Sequence, residues 1–277
     1  MIEPGIYNNL SIDEYHAEHE HASTSTFKDF GAGAGTPLKC MIARQIKGKP
    51  KKVYDYGTAL HCAILEPDKY NDFVVVPPVN VLSKSGSKAG NKYKEWEAAQ
   101  GDKLIIKQDV QDAITRSVEN VFDNPAHIEA KELLTGGYSE VSVFWEMSDS
   151  GLPVKCRPDH LPGGAIVTDL KSCLTADPVG FGKQAYNLKY HWSAFLTLNG
   201  LNTITDFYHA DYRFVCIEKE PPFDLAVYKM PHDLLQLAST ELLPVIMHYQ
   251  NCLEKNEWPG YPGETQMLTF PKWATKS

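Results

Sequence analysis

Two aspartates and a lysine stand close together in this chain, as Pro158-Asp159 and then Asp169-Leu170-Lys171. Carboxylates are oxygen donors for hard cations such as Mg²⁺. A cation held this way polarises a phosphate and lowers the pKa of a bound water. A nearby ammonium orients that water or stabilises charge developing on the phosphate. The set suits phosphodiester hydrolysis. The plainer reading is a surface hairpin with an ordinary ion pair, because Asp-x-Lys arises often by chance. Pro158-Asp159, one hairpin's length upstream, strengthens the chemical reading.

The elements that must position these residues follow from local pattern. Ala165-Ile166-Val167-Thr168 is apolar and β-branched, the mark of a buried strand. Pro162-Gly163-Gly164 before it is a tight turn. Residues 154–159 and 165–171 are therefore predicted as two hairpin strands. Successive strand side chains alternate, so Asp169 and Lys171 share a face and Leu170 points to the core. Gly136-Gly137 marks a turn, and residues 139–145 alternate as a further strand. Val141, Val143 and Trp145 fall on one face, with Glu140, Ser142 and Phe144 on the other. Glu140 is thereby expected beside the Asp159 hairpin, where it is a solvent-facing glutamate or, as the family resemblance given below implies, a helper to the metal.

Upstream, residues 1–22 read as mostly irregular, with a short helix at 13–16. His16, His19 and His21 lie in a polar stretch and read as plain surface. Ser23-Thr24-Ser25-Thr26 precedes Phe27 as a helix start with a Ser or Thr cap. Helix N-termini attract phosphate, which makes Ser25 a candidate DNA contact. A second helix starts at Thr36-Pro37, and a third spans 57–65 with Leu60, Ile64 and Leu65 buried. On the residues alone, His61 reads as a core histidine. Residues 92–99 and 110–121 are predicted as helices, the second with Val110, Ala113, Ile114, Val118 and Val121 on its packed face. Past Lys171, helices are predicted at 179–187 and 190–201 and strands at 211–218 and 224–230. A helix at 233–253 is interrupted or kinked by Pro244. The tail, with Phe270, Pro271 and Trp273, is expected to dock on the body.

Bulk properties narrow the class. Hydrophobic content of 43% and charged content of 22% are those of a globular protein rather than a disordered one. No apolar run suffices to span a bilayer. The start, Met1-Ile2-Glu3-Pro4, lacks the basic and apolar regions of a signal peptide, so a cytoplasmic protein without membrane contact is expected. Six cysteines without a Cys-x-x-Cys pair argue for free thiols and against zinc or an iron–sulfur cluster. No phosphate loop, dinucleotide glycine pattern or Gly-x-Ser-x-Gly elbow supports a small-molecule enzyme. A net charge of −8 runs against DNA binding, but binding depends on where charge sits. Lys39, Arg44, Lys47, Lys49, Lys51 and Lys52 form one acid-free basic run, and Lys84 to Lys94 form another. Either is a solvated face or a contact for a nucleic-acid backbone; Arg44, Lys47, Lys51 and Lys52 are the candidates taken forward.

The motif of Asp159, Asp169 and Lys171 resembles that of the PD-(D/E)xK nucleases. Further blocks in order resemble one branch of them, the RecE-type (exonuclease VIII) exonucleases of prophages. These are Glu3-Pro4-Gly5-Ile6-Tyr7 with Tyr15-His16, Gly57 to Cys62 with Leu65-Glu66-Pro67, Cys156 to Asp159, Tyr190-His191, Glu257-Trp258-Pro259 and Leu268 to Ala274. The resemblance implies an α/β fold: a restriction-endonuclease-like core with a central mixed sheet flanked by helices. It implies one domain over 1–277, mainly helical over 1–135, with the catalytic sheet and C-terminal helices over 136–277. It implies His61, Asp159, Asp169 and the Leu170 carbonyl around Mg²⁺, with Mn²⁺ able to substitute, and Lys171 as the group that positions water. The implied activity is 5′→3′ double-strand DNA exonucleolysis leaving 3′ single-stranded tails. The implied partners are a RecT-like single-strand annealing protein and further copies of the chain in a ring. An endonuclease or single-strand nuclease of the same fold, or an inactive DNA-binding relative, remain as alternatives. The sequence departs from the family at Ser193 and Thr197, where a glutamine and a tyrosine are usual, which puts substrate handling in doubt.

Overall fold

A computed structural model describes residues 2–31, 35–45, 56–83, 88 and 90–270. The N-terminal part carries strand β1 (Gly5–Tyr7), then helices α1 (Ile12–Ala17), α2 (Thr24–Gly31), α3 (Pro37–Gln45), α4 (Tyr56–Leu65) and α5 (Pro67–Phe73). Short strands β2 (Val74–Val75) and β3 (Leu104–Ile105) pair in parallel around helix α6 (Asn91–Ala99). Helices α7 (Gln108–Phe122) and α8 (Ile128–Leu133) lead into β4 (Tyr138–Ser139), β5 (Ser142–Glu146), β6 (Pro153–Cys156), β7 (His160–Gly163) and β8 (Ile166–Cys173). Helices α9 (Pro178–Asn187) and α10 (Tyr190–Ile204) cross over to β9 (Asp211–Glu218), and β10 (Leu225–Lys229) and α11 (His232–Lys255) follow.

The central sheet has the order β10-β9-β8-β7-β4. β8 and β9 run parallel, as a crossover through two helices requires, and the other neighbours are antiparallel. A second sheet, β1-β5-β6, is antiparallel throughout. Alternation on β8 and β9 splits the core into two layers. Val167, Cys173, Tyr212, Phe214 and Cys216 pack toward α2, α10 and α11. Leu170, Val215 and Ile217 pack toward α4, α7 and α8. The result is the expected mixed sheet flanked by helices, the restriction-endonuclease-like α/β fold.

Helix faces follow the sequence closely. On α7, Val110, Ile114, Val118 and Val121 face the core as their spacing predicts. On α11, Ala238, Leu242, Ile246, Tyr249 and Cys252 form a buried stripe at three- and four-residue intervals. The assigned helix runs on through Pro244, so the predicted split does not occur. α10 lies against β5 at Gly200, where an added Cβ would sit 2.6 Å from the Trp145 ring. The start of α10 is clamped by Glu241 of α11, whose carboxylate accepts hydrogen bonds from Lys189 (3.0 Å), His191 (3.0 Å) and Trp192 (2.8 Å). Among the described residues no helix is long and apolar enough to cross a membrane.

Several expectations are corrected. Residues 5–7 are a strand rather than irregular chain, because β5 offers them an antiparallel partner. The predicted strand 139–145 is broken at Glu140, and β5 is buried on both faces up to Trp145, because α10 covers Trp145 on one side while Tyr15 and His21 pack on Phe144 on the other. The predicted strand 154–159 ends at Cys156 and pairs with β5, while the hairpin partner of β8 is β7. His21 is buried against Phe144 rather than exposed. Phe270 is 68% exposed, so this residue does not dock as expected; Pro271 and Trp273 lie outside the described residues.

Candidate active site

The site forms where β8 loses its neighbour. β7 pairs with β8 at Gly163↔Ile166 and His160↔Thr168, and stops there. Beyond Thr168 the edge of β8 would present an unpaired Leu170 amide, and buried amides need partners. The carboxylate of Asp159, in the residue just before β7, takes that role: Leu170 N–H donates to Asp159 Oδ2 at 2.8 Å. N–H and C=O of one strand residue point the same way, so the Leu170 carbonyl faces the same gap. Lys171 Nζ lies 3.5 Å from that carbonyl.

Asp169 and Lys171 share a face of β8, as alternation predicts, and are ion-paired. Lys171 also lies 3.6 Å from Asp159 Oδ2 and 5.4 Å above the Tyr190 ring. Tyr212, on the neighbouring strand β9, donates its hydroxyl to Asp169 Oδ2 at 2.7 Å. Burial pushes the Asp169 carboxyl above the usual carboxylate range, Lys171 opposes this, and the neighbouring Asp159 charge adds to it. Burial disfavours the charged form of Lys171, but Asp169 and Asp159 outweigh it and raise its pKa. Lys171 therefore stays an ammonium at neutral pH.

His61 reaches the same gap from α4, with Nδ1 3.9 Å from Asp159 Oδ2. Glu140 reaches it from the break between β4 and β5. Its backbone is left-handed (φ 54°), and its amide donates to the Asp159 carbonyl at 2.9 Å. A non-glycine residue held there is strained, and such strain concentrates at functional sites. Arg157 holds the Glu140 carboxylate through Nε at 2.8 Å, and donates to the Leu10 carbonyl at 3.0 Å and to Ser142. Donor atoms of His61, Glu140 and Asp159 all lie within 4.8 Å of one another. Two carboxylates and an imidazole at that spacing, with the Leu170 carbonyl turned toward the same gap, fit a divalent cation.

Two clefts flank this centre and share Glu140 and Arg157 as walls. One, of about 480 Å³, contains Asp159, Asp169, Lys171, Arg44, Lys155 and Ser193. The other, of about 710 Å³, is lined by His61, Gly57, Thr58 and Phe73. Ser25 borders the first cleft at the start of α2. Arg44 lines it too, while bonding Thr26 (3.1 Å) and the His19 carbonyl. Lys47, Lys51 and Lys52 lie outside the described residues.

Sequence reasoning missed Tyr212, Tyr190 and Arg157. The first is found only once β9 is known to pair with β8, with Val167 opposite Tyr212 and Asp169 opposite Phe214. The signal for Arg157 was its place between the strand end at Cys156 and the motif aspartate.

A family model described as a PDDEXK-like domain of unknown function (DUF3799) matches residues 23–270. A crystal structure from Eubacterium rectale, of a protein named "Putative exonuclease", is similar in fold with a TM-score of 0.60. It is 14% identical, over 95% of this chain and 96% of that one. A structure of SSO0001 matches half of the chain (50%) and 59% of its own length, at 16% identity and a TM-score of 0.28. No curated protein matches the sequence.

Proposed function

The chain belongs to the DUF3799 family of PDDEXK-like domains, and from its site we propose that it is a divalent-metal-dependent nuclease that hydrolyses DNA phosphodiester bonds. The observation that carries this reading is the convergence on one gap of His61, Glu140 and Asp159 with the ion pair Asp169–Lys171. A structural ion pair explains two of these residues; it does not explain an imidazole and a strained glutamate aimed at the same carboxylate.

His61, Asp159, Asp169 and the Leu170 carbonyl, with Glu140, would hold Mg²⁺, and Mn²⁺ would substitute. When bound, the cation supplies polarisation of the phosphoryl group and a water of lowered pKa. The protein's own groups do the rest. Lys171 pairs with both Asp159 and Asp169 in the free site. With those oxygens committed to a cation, the Lys171 ammonium would be free to orient the attacking water and to stabilise charge on the phosphate. Tyr212 fixes the rotamer of Asp169, and Arg157 fixes that of Glu140, so the acids are placed before substrate arrives. Ser25, Arg44 and Ser193, which border the cleft, are placed to meet the nucleic-acid backbone.

The finer reading is a 5′→3′ double-strand exonuclease that leaves 3′ tails for a RecT-like annealing protein and works as a ring of identical copies. Its support is the resemblance of ordered blocks from Glu3 to Ala274. A ring also answers the net charge of −8, since basic residues facing a channel act locally. The test is digestion of linear duplex DNA labelled at either 5′ or 3′ ends, with Mg²⁺ or with chelator, beside a covalently closed circle. Stepwise loss from 5′ ends with an intact circle is expected. Nicking of the circle would replace this reading with an endonuclease. DNA binding without cleavage under any divalent metal would replace it with an inactive relative.

A further inference from the structure

Lys28 is a cation that the motif does not contain and the proposed metal chemistry does not use. It stands on α2, half-buried, and its ammonium donates to Ser193 Oγ of α10 at 3.5 Å. Ser193 lines the cleft that holds Asp159, Asp169 and Lys171. Among the described residues no carboxylate pairs with Lys28. A half-buried ammonium with one neutral partner, at the long limit of a hydrogen bond, is poorly compensated. Burial, and then the like charge of Lys171, depress its pKa to about 8, with only partial relief from Asp169 and Asp29. An apolar side chain tying α2 to α10 would avoid both penalties. The arrangement becomes favourable when an anion enters beside the two lysines. Ser193 is suited to the same role. Its oxygen accepts from Lys28, so its own hydrogen is left to donate elsewhere, and it borders the cleft.

We propose that Lys28 and Ser193 form a second phosphate-binding element, which holds a backbone phosphate of the nucleic-acid strand adjoining the phosphate engaged at Lys171. The proposal rests on the nuclease reading and adds a residue pair to it. Cations on two separate elements, α2 and β8, then grip one strand. A serine is too short to serve alone; the lysine behind it supplies the charge.

The competing account makes Lys28 a strut between α2 and α10, which would affect stability alone. Binding of a short linear DNA duplex, with Ca²⁺ replacing Mg²⁺, separates the two when measured over a series of KCl concentrations. The proteins are wild type, Lys28→Met, Lys28→Gln, Lys28→Arg and Ser193→Ala, each with its melting temperature. Either neutral variant is expected to bind about ten-fold more weakly. The salt dependence should also become shallower, by about 0.7–0.9 in log–log slope, because one phosphate is no longer neutralised. Lys28→Arg should keep the wild-type slope. Ser193→Ala should weaken binding with the slope unchanged. Unchanged affinity and slope in the folded neutral variants, beside a wild type that cuts DNA, would overturn the Lys28 role alone. A wild type that neither binds nor cuts DNA would overturn the nuclease reading with it.

Discussion

The Leu170 amide donates to Asp159 Oδ2 at 2.8 Å, so a side-chain carboxylate completes the edge of β8 where a neighbouring strand would otherwise do so. This bond ties the two halves of the motif. It fixes Asp159 against the strand that carries Asp169 and Lys171, although all of β7, a turn and the start of β8 separate the acids along the chain. A charged acceptor on a backbone N–H is stronger than a neutral one.

Glu140 is the strained partner of that arrangement, and its backbone and side chain are separable. At φ 54°, glycine sits without penalty, whereas alanine, like the native glutamate, carries a Cβ that is strained there. Both Glu140→Gly and Glu140→Ala remove the carboxylate and leave Arg157 without it. We expect the alanine variant to be less stable than the glycine variant by about 1 kcal/mol. Both should lose affinity for Mn²⁺ to the same extent. Urea denaturation and metal titration measure the two effects; equal stability of the variants would remove the argument from strain.

The Glu241 clamp at the start of α10 has a definite pH dependence. Burial favours the neutral acid, but hydrogen bonds from His191, Lys189 and Trp192 outweigh it and hold the pKa down at about 2. The folded value lies below the unfolded one, so the clamp contributes its full stability above pH of about 4.5 and loses it as pH falls toward 2. Glu241→Gln should cost roughly 2–3 kcal/mol at neutral pH. The difference from wild type should shrink steadily over that acid window. A gap constant with pH would mean that the carboxylate charge does not hold the helix.

Gly200 sets how closely α10 approaches β5. An added methyl meets the Trp145 ring at 2.6 Å, and neither a buried tryptophan nor a packed helix yields easily. Gly200→Ala is expected to destabilise by about 1–3 kcal/mol through overpacking, despite the better helix propensity of alanine. Trp145 fluorescence should shift with it. A gain in stability would show that the helix has room to move.

Much of this was legible locally. Strand β9 has the predicted ends, and the helices predicted at 179–187 and 190–201 are observed at Pro178–Asn187 and Tyr190–Ile204. The common face of Asp169 and Lys171 follows from strand alternation alone. What stayed hidden depends on pairing between distant segments. The strand at Gly5–Tyr7 exists because β5 is there to receive it. The break at Glu140 is invisible in a pattern that alternates cleanly through it. Tyr212 meets Asp169 only through the parallel register of β8 and β9. Lys28 carries no local mark at all, since its partner lies on α10, far along the chain.

The central claim is that Asp159, Asp169 and Lys171 form a metal-dependent hydrolytic site. The most direct measurement is the rate of nucleotide release from linear duplex DNA by wild type, Asp159→Asn and Lys171→Ala, across a Mg²⁺ titration. The account predicts cleavage that rises with Mg²⁺ and stops with chelator in the wild type. It predicts a fall of at least about 100-fold in each variant, with the melting temperature of Asp159→Asn nearly unchanged because asparagine still accepts from Leu170. Wild-type rates in either folded variant, or cleavage indifferent to metal, would contradict it.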